Sequence, residues 1–317
     1  MTGWIPFGEE TMQEDLDYPI YAYKEMLDEQ FPFKIERRNR ANMNTILHAH
    51  EHLQLCYMMS GSCLHFAAGR HFVLTKGDLF SIPPYQEHRL DPRDDMDFVM
   101  IQVDFMPHAV NENLRDMTGM QTFVDFAYIR PLISESDLMP KLSLPPATQT
   151  IVESLLDTLL TEWEEREEGY RLAIKAELLR LLVITGRQYK RYVGTEGQQE
   201  RQKVVQHREA FYEAIAYMQT HYHEDLHLED VAAKALMAPS YFSYMLKLIR
   251  GKSYIELLSS IRMQASLVLL TETGLSISEI AMRVGYNHIS HFNRTFKKHT
   301  GITPGDYRKS GSGSLTP

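Results

Sequence analysis

The sequence predicts an α+β chain of two domains. An N-terminal β-sandwich or barrel with two amphipathic helices at its end precedes an all-α domain holding two helix-turn-helix units joined by a linker helix. Three observations carry this. Short apolar runs, broken by glycine and proline about every ten residues, fill Asn44 to Phe105. Long helical periods fill Ile151 to Tyr192, and one apolar pattern occurs twice in the last third of the chain.

In the first domain, set at residues 1–145, His52 to Met59 alternates until Ser60-Gly61-Ser62 breaks it. Leu64-His65-Phe66 and Phe72-Val73-Leu74 flank Ala67-Ala68-Gly69-Arg70, a hairpin connection. Lys76-Gly77-Asp78 is a further turn, and Pro83-Pro84 stops the pairing after Ile82 because proline has no N–H to donate. In the strand Asp97 to Phe105, one face holds Phe98, Met100, Gln102 and Asp104 and the other Val99, Ile101, Val103 and Phe105.

Residues 146–192 read as two helices separated by Gly169, which cap the β-domain or pair with the same helices of a second subunit. Residues 193–206 (VGTEGQQERQKVVQ) are polar and lack an apolar period, so they read as a linker. Residues 207–309 form the helical domain, and the Ser/Gly-rich residues 310–317 read as a flexible tail.

The helical domain carries the chemistry. Leu228, Val231, Ala232 and Ala235 recur as Ile277, Ile280, Ala281 and Val284, each set a buried stripe at i, i+3, i+4, i+7. A turn then leads to a second helix, where Phe242, Met245 and Leu246 answer to Phe292, Thr295 and Phe296. Gly285 falls where positive φ is wanted, Asn287 suits the next N-cap, and Pro239 suits a first helical turn. Two such units place two helices for successive major grooves, with Tyr254 to Leu270 as the rigid helix between them. If the apolar stripes point inward, Ser240, Ser243, Tyr244 and Lys247 point outward on one reading helix. Ser290, Asn293, Arg294 and Lys297 do so on the other. Asn293 suits a bidentate contact to adenine and Arg294 one to guanine or phosphate. The expected partner is double-stranded DNA.

Charge divides the same way. Residues 207–309 hold 12 Lys/Arg against 10 Asp/Glu, while the whole chain is −9, so the acidity lies outside the helical domain. No apolar run is long enough to span a membrane, and Met1 to Gln30 has no basic-then-apolar leader pattern, so a cytoplasmic protein is expected. Cys56 and Cys63 lack ligand or redox spacing and are expected as reduced thiols.

Ile277 to Tyr286, Phe292-Asn293-Arg294-Thr295-Phe296-Lys297-Lys298 and Gly301 to Arg308 closely resemble the DNA-binding domain of the AraC/XylS family of bacterial transcription regulators. The first unit departs from the pattern at Leu236, where glycine is common. Residues 44–105 are similar to the cupin sensor domain that often precedes it. His48, His50, Gln54 and Gly61 follow the first cupin motif, with Gln54 where Glu is usual. Gly77, Pro83 and His88 follow the second, with Tyr85 in place of Gly and Pro92 in place of Asn.

The resemblance implies a DNA-binding regulator, an activator in most relatives, acting as a homodimer with RNA polymerase as a partner. It implies an effector, a sugar or similar molecule, near His48, His50, Gln54, Tyr57, Phe66, Tyr85 and His88. Cupin enzymes hold a metal at such histidines, but Gln54 removes the anionic ligand, so no metal or other cofactor and no enzymatic activity is expected. Three readings of the histidines stay open: effector contacts, metal ligands or structural side chains. A regulator without a small-molecule effector and a cupin enzyme fused to a DNA-binding domain are the alternatives.

Overall fold

The computed structural model describes residues 18–67, 70–93, 97–110, 120–132, 141–195 and 198–312. The chain divides into two compact units, Met1–Val205 and Gln206–Pro317. The Met1–Asp17 arm, the tip of the Ala67–Arg70 hairpin and the tail beyond Ser312 lie outside the described residues.

The first unit opens with β1 (Ile20–Tyr21), α1 (Tyr23–Met26), β2 (Phe33–Asn39) and β3 (Ala49–His50). It continues with β4 (Leu53–Ala67), β5 (Arg70–Thr75), β6 (Asp78–Ile82), β7 (His88–Pro92) and β8 (Phe98–Phe105). After α2 (Pro107–Val110) and α3 (Gln121–Val124), a buried π-helical turn covers Asp125–Ile129. β9 (Lys141–Ser143) completes the strands. One sheet runs β2-β8-β4-β6-β9, with β5 and β7 pairing the far half of β4.

That shared strand corrects the expected break at Ser60-Gly61-Ser62. β4 runs straight through it for 15 residues. The register with β8 slips between Met58 and Ser60, and Gly61 takes φ +70°. The bulge bends β4 so that its first half pairs β6 and β8 and its second half β5 and β7. Only glycine fits, because a Cβ on Gly61 would lie 2.0 Å from the Asp97 carbonyl oxygen.

Alternation assigns the two faces. Cys56, Met58, Phe80 and Met100 lie in the apolar core enclosed by the sheet. The opposite face meets α4 (Pro146–Glu165): Tyr57 donates its phenol to Glu153 at 2.9 Å, and Phe33 meets Trp163 edge-on at 5.6 Å. α5 (Tyr170–Thr195) packs on α4 and α3.

The expected linker 193–206 is helical where described. α5 continues to Thr195 and α6 (Gln198–His221) begins three residues later. Glutamine, glutamate, arginine and lysine are good helix formers, so a polar run needs no apolar period when it extends a helix anchored further on by Val204, Phe211 and Met218. The proposed tail is also shorter than expected, since α12 (Pro304–Ser312) runs into it.

The second unit continues with α7 (Leu228–Lys234), α8 (Pro239–Arg250), α9 (Tyr254–Glu272), α10 (Ile277–Arg283) and α11 (Ile289–Thr300). Ser253 and Ser276 close capping boxes with Glu256 and Glu279, which start α9 and α10. Three of four positions in each predicted stripe are buried, Val231, Ala232 and Ala235 in the first copy and Ile280, Ala281 and Val284 in the second, while Leu228 and Ile277 are half-buried. α9 packs against α8, α10, α11 and α12, so one rod braces both helical pairs. The cap of α11 is His288, one residue beyond the expected Asn287, and its side chain makes no cap bond.

Candidate DNA-reading surface and sensor pocket

α11 is built to be read from outside. Phe292 and Phe296 are fully buried, and Ser290, Asn293, Arg294 and Lys297 are all exposed. Lys297, Lys298 and His299 lie in its last turn, where a helix C-terminus favours positive charge. The helix is set by the turn before it. Gly285 has φ +89°, and a Cβ there would come within 2.9 Å of both the Tyr222 carbonyl and the Arg262 guanidinium. Arg262, from the α9 rod, donates to the Tyr222 and Glu224 carbonyls at 2.7 and 2.9 Å and lies 5.6 Å from the Tyr286 ring. One guanidinium thereby ties the entry of the first helical pair to the turn of the second.

α8 departs from the expectation at one residue. Ser240, Tyr244 and Lys247 are partly exposed, but Ser243 is buried at 3 %. The helix buries six of its twelve residues, so its inward stripe is wider than the Phe242, Met245, Leu246 pattern implied. A hydroxymethyl group beside that stripe does not reach past its longer neighbours. Burial lowers the Lys247 ammonium from its ordinary value, opposed by the Glu256 carboxylate.

The β-domain gathers His48, His50, Gln54 and His88 around a cavity of about 40 Å³. The rings of His48 and His88 are 4.2 Å apart, and those of His50 and His88 4.8 Å. Burial holds all three imidazoles below their ordinary pKa, His50 at about 3, so they are neutral at pH 7. Their tautomers follow from their partners. The Nδ1 atoms of His48, His50 and His88 donate to the carbonyls of Ile46, His52 and Gln86 at 2.7, 2.9 and 3.0 Å. A carbonyl only accepts, so each Nδ1 carries the proton and each Nε2 a lone pair.

His50 Nε2 lies 2.8 Å from Gln54 Oε1; both ring nitrogens then face oxygens and a neutral ring donates from only one, so exchanging the two ends of the amide turns its NH₂ group to the ring and its carbonyl to the Cys56 sulfur. Burial raises the Cys56 thiol well above its ordinary pKa, so it remains protonated and can donate. Beneath His50, His52 stacks at 4.0 Å with 11° between planes and approaches Asp104 at 3.6 Å. Burial pushes the Asp104 carboxyl up, but the His52 ring and the Gln102 amide outweigh it and hold it below the usual range.

These residues do not fit a resident metal. Gln54 supplies an amide in place of a carboxylate and is committed to His50. Among the described residues, no group of three or more His, Cys, Asp or Glu is arranged to hold an ion.

Three of the expected effector residues are elsewhere. Tyr57 faces α4, because alternation puts it opposite Gln54 and Cys56. Phe66 lies outside the cavity wall, with the Arg89 guanidinium 4.8 Å over its ring. Tyr85, in the left-handed region at φ 63°, donates its N–H to the His50 carbonyl and shapes the loop without lining the cavity. The wall instead includes Tyr21, Arg38, His52 and Gln102. One of these was available from spacing alone: His52 alternates with His48, His50 and Gln54.

Comparison with known proteins bears on both units. A profile for an AraC-like ligand binding domain matches residues 35–182, and one for a helix-turn-helix domain matches residues 231–310. The chain belongs to the AraC/XylS family. It carries an AraC-like ligand binding domain followed by a helix-turn-helix domain.

It is 33 % identical over 96 residues to the regulatory protein PocR of Salmonella typhimurium, a match covering 30 % of this chain and 32 % of that protein. It is similar along 96 % of both chains, at 22 % identity, to the uncharacterized HTH-type transcriptional regulator YdeC of Bacillus subtilis. The C-terminal domain of AraT, a response regulator from Geobacillus stearothermophilus, is 42 % identical. That match covers 32 % of this chain and 84 % of the other, with a TM-score of 0.31. The chain thus spans about a third of PocR and 11 % of the Bacillus subtilis regulator YtdP, two of the curated relatives it matches. Among the described residues no helix is long and apolar enough to cross a membrane.

Proposed function

We propose that this regulator is a homodimeric, cytoplasmic activator that reads DNA with α8 and α11 and answers to a small hydroxylated effector, a sugar or a similar molecule. The DNA contacts come from Ser290, Asn293, Arg294 and Lys297, joined by Ser240, Tyr244 and Lys247. The observation carrying this is the exposed polar face of α11 over a buried Phe292 and Phe296. Asn293→Ala and Arg294→Ala are each expected to weaken binding to the cognate site by about 1–3 kcal/mol, measured by titration at fixed salt. Unchanged affinity in both variants removes α11 as the base-reading helix.

In the sensor pocket, Nε2 lone pairs of His48 and His88 accept from hydroxyl groups, and Arg38 donates to them. A sugar hydroxyl does both. The activator role places RNA polymerase as a partner on the DNA. A thermal-shift screen of sugars and small acids tests the effector: a ligand at about 100 times its Kd adds about 2.7 kcal/mol of stability. The size of the pocket favours a second reading. A cavity of about 40 Å³, where roughly 10–15 Å³ suffices for one water, has room for a few waters and is narrow for a sugar. If no compound shifts the melting point while DNA binding is intact, the regulator acts without a small-molecule effector.

A further inference from the structure

One large apolar side chain at the tip of α11 is left in water by the core of its own domain. Ile289, the first residue of the helix, is 45 % exposed. It takes no part in the cluster that Phe292 and Phe296 build with Ile280, Ala281 and Val284. The backbone does not ask for it either. In the first helical pair the same place, three residues before Phe242, is held by Pro239, whose fixed φ suits a first helical position. Isoleucine brings no such advantage there.

The tip around Ile289 is open to a polyanion. α9 and α10 start with capping boxes that put Glu256 and Glu279 into their first turns. α11 has no carboxylate in its first turn, and the His288 side chain makes no cap bond. His288, Ser290 and His291 beside Ile289 are all exposed. Asn293, four residues on, lies one turn along the same flank of the helix and is exposed as well.

We propose that Ile289 determines part of the operator sequence by packing on the 5-methyl group of a thymine. This rests on α11 reading bases, as proposed above, and adds a residue to that reading. A helix of this kind meets base edges with its N-terminal residues. An isoleucine there has neither donor nor acceptor, and among the four bases only thymine shows a methyl group in the major groove. Covering that methyl also takes the exposed side chain out of water. One helical turn of ~5.4 Å is about one and a half base-pair steps of ~3.4 Å, so the thymine is set about one or two base pairs from the adenine that suits Asn293.

Selection of duplexes from a random pool by the full chain, followed by titration of the selected site at fixed salt, tests this. The site is expected to hold a thymine, on either strand, within about two base pairs of the adenine whose preference Asn293→Ala removes. Replacing that thymine by deoxyuridine deletes the methyl alone, and is expected to weaken binding about fourfold, the worth of one buried methyl group. Ile289→Ala is expected to weaken binding to the thymine site at least about fourfold and to bind the thymine and deoxyuridine sites alike. Its far-UV spectrum should match the parent's, because Ile289 lies outside the core. A site without such a thymine overturns the proposal, as does a parent chain indifferent to deoxyuridine at that position. A deoxyuridine effect that persists in Ile289→Ala gives the methyl to another residue and does the same. If Asn293→Ala weakens binding while deoxyuridine changes nothing, the role of Ile289 falls alone. A pool that yields no common site overturns this proposal and the DNA-reading one together.

Discussion

Two left-handed residues in equivalent turns show how much one side chain decides. Gly285, between α10 and α11, has φ +89° and lies against the Tyr222 carbonyl and Arg262. Leu236, at the corresponding turn between α7 and α8, has φ 57° and is 55 % exposed, so it bears the strain of a Cβ without the return of a buried leucine. Leu236→Gly is expected to raise stability by about 0.5–1 kcal/mol, the strain relieved exceeding the added chain entropy. Gly285→Ala should lose about 1–3 kcal/mol. Urea midpoints of the two variants check both signs, and a Leu236→Gly chain less stable than the parent refutes the strain argument.

At the scale of elements, α9 is the part on which the reading helices depend. Its capping box at Ser253 fixes where it starts, and Arg262 fixes what it holds. Arg262→Ala removes two charged hydrogen bonds, each worth about 1.5–3 kcal/mol. Part of that returns when water reaches the freed carbonyls, so a loss of about 1–3 kcal/mol is expected. DNA affinity should fall as well, since the tie between the two helical pairs is gone. Equal stability with Arg262→Ala, measured by thermal melting, would show the rod is held by packing alone. The polar run before α6 is a related case: composition suggested a linker, and the helical continuity from Gln198 to His221 came from an apolar stripe that begins only at Val204.

Across the whole sensor domain, buried neutral histidines tie stability to pH. His50 and His65 are held at about 3, against an ordinary value of 6.5. The unfolded chain takes up their protons first as pH falls, so the stability they allow is complete above about 6.5 and is lost from there toward 3. Each contributes a slope of about 1.4 kcal/mol per pH unit in that window, and His48 and His88 act in the same direction. His65 is the cleanest test, because neither ring nitrogen has a hydrogen-bond partner among the described residues. His65→Leu is expected to be more stable than the parent at pH 5, with a shallower decline between pH 7 and 5. Parallel pH profiles for the two chains would remove His65 from the account.

What the sequence determined by itself is local and periodic. The 3.6-residue stripes of α7 to α11, the glycine turn at 285 and the alternation of His48, His50 and Gln54 each constrain a few neighbouring residues, so they were legible without a fold. Tertiary structure decided what depends on segments distant in the chain. Tyr57 went to α4 because the helix returns over that side of the sheet. Arg38 and Gln102 joined His48 because β2, β8 and β4 lie side by side. Ser243 was buried because α8 meets more of its surroundings than its own stripe announces. The physical reason is the same in each case: periodicity specifies which way a side chain points, and only packing specifies what it meets there.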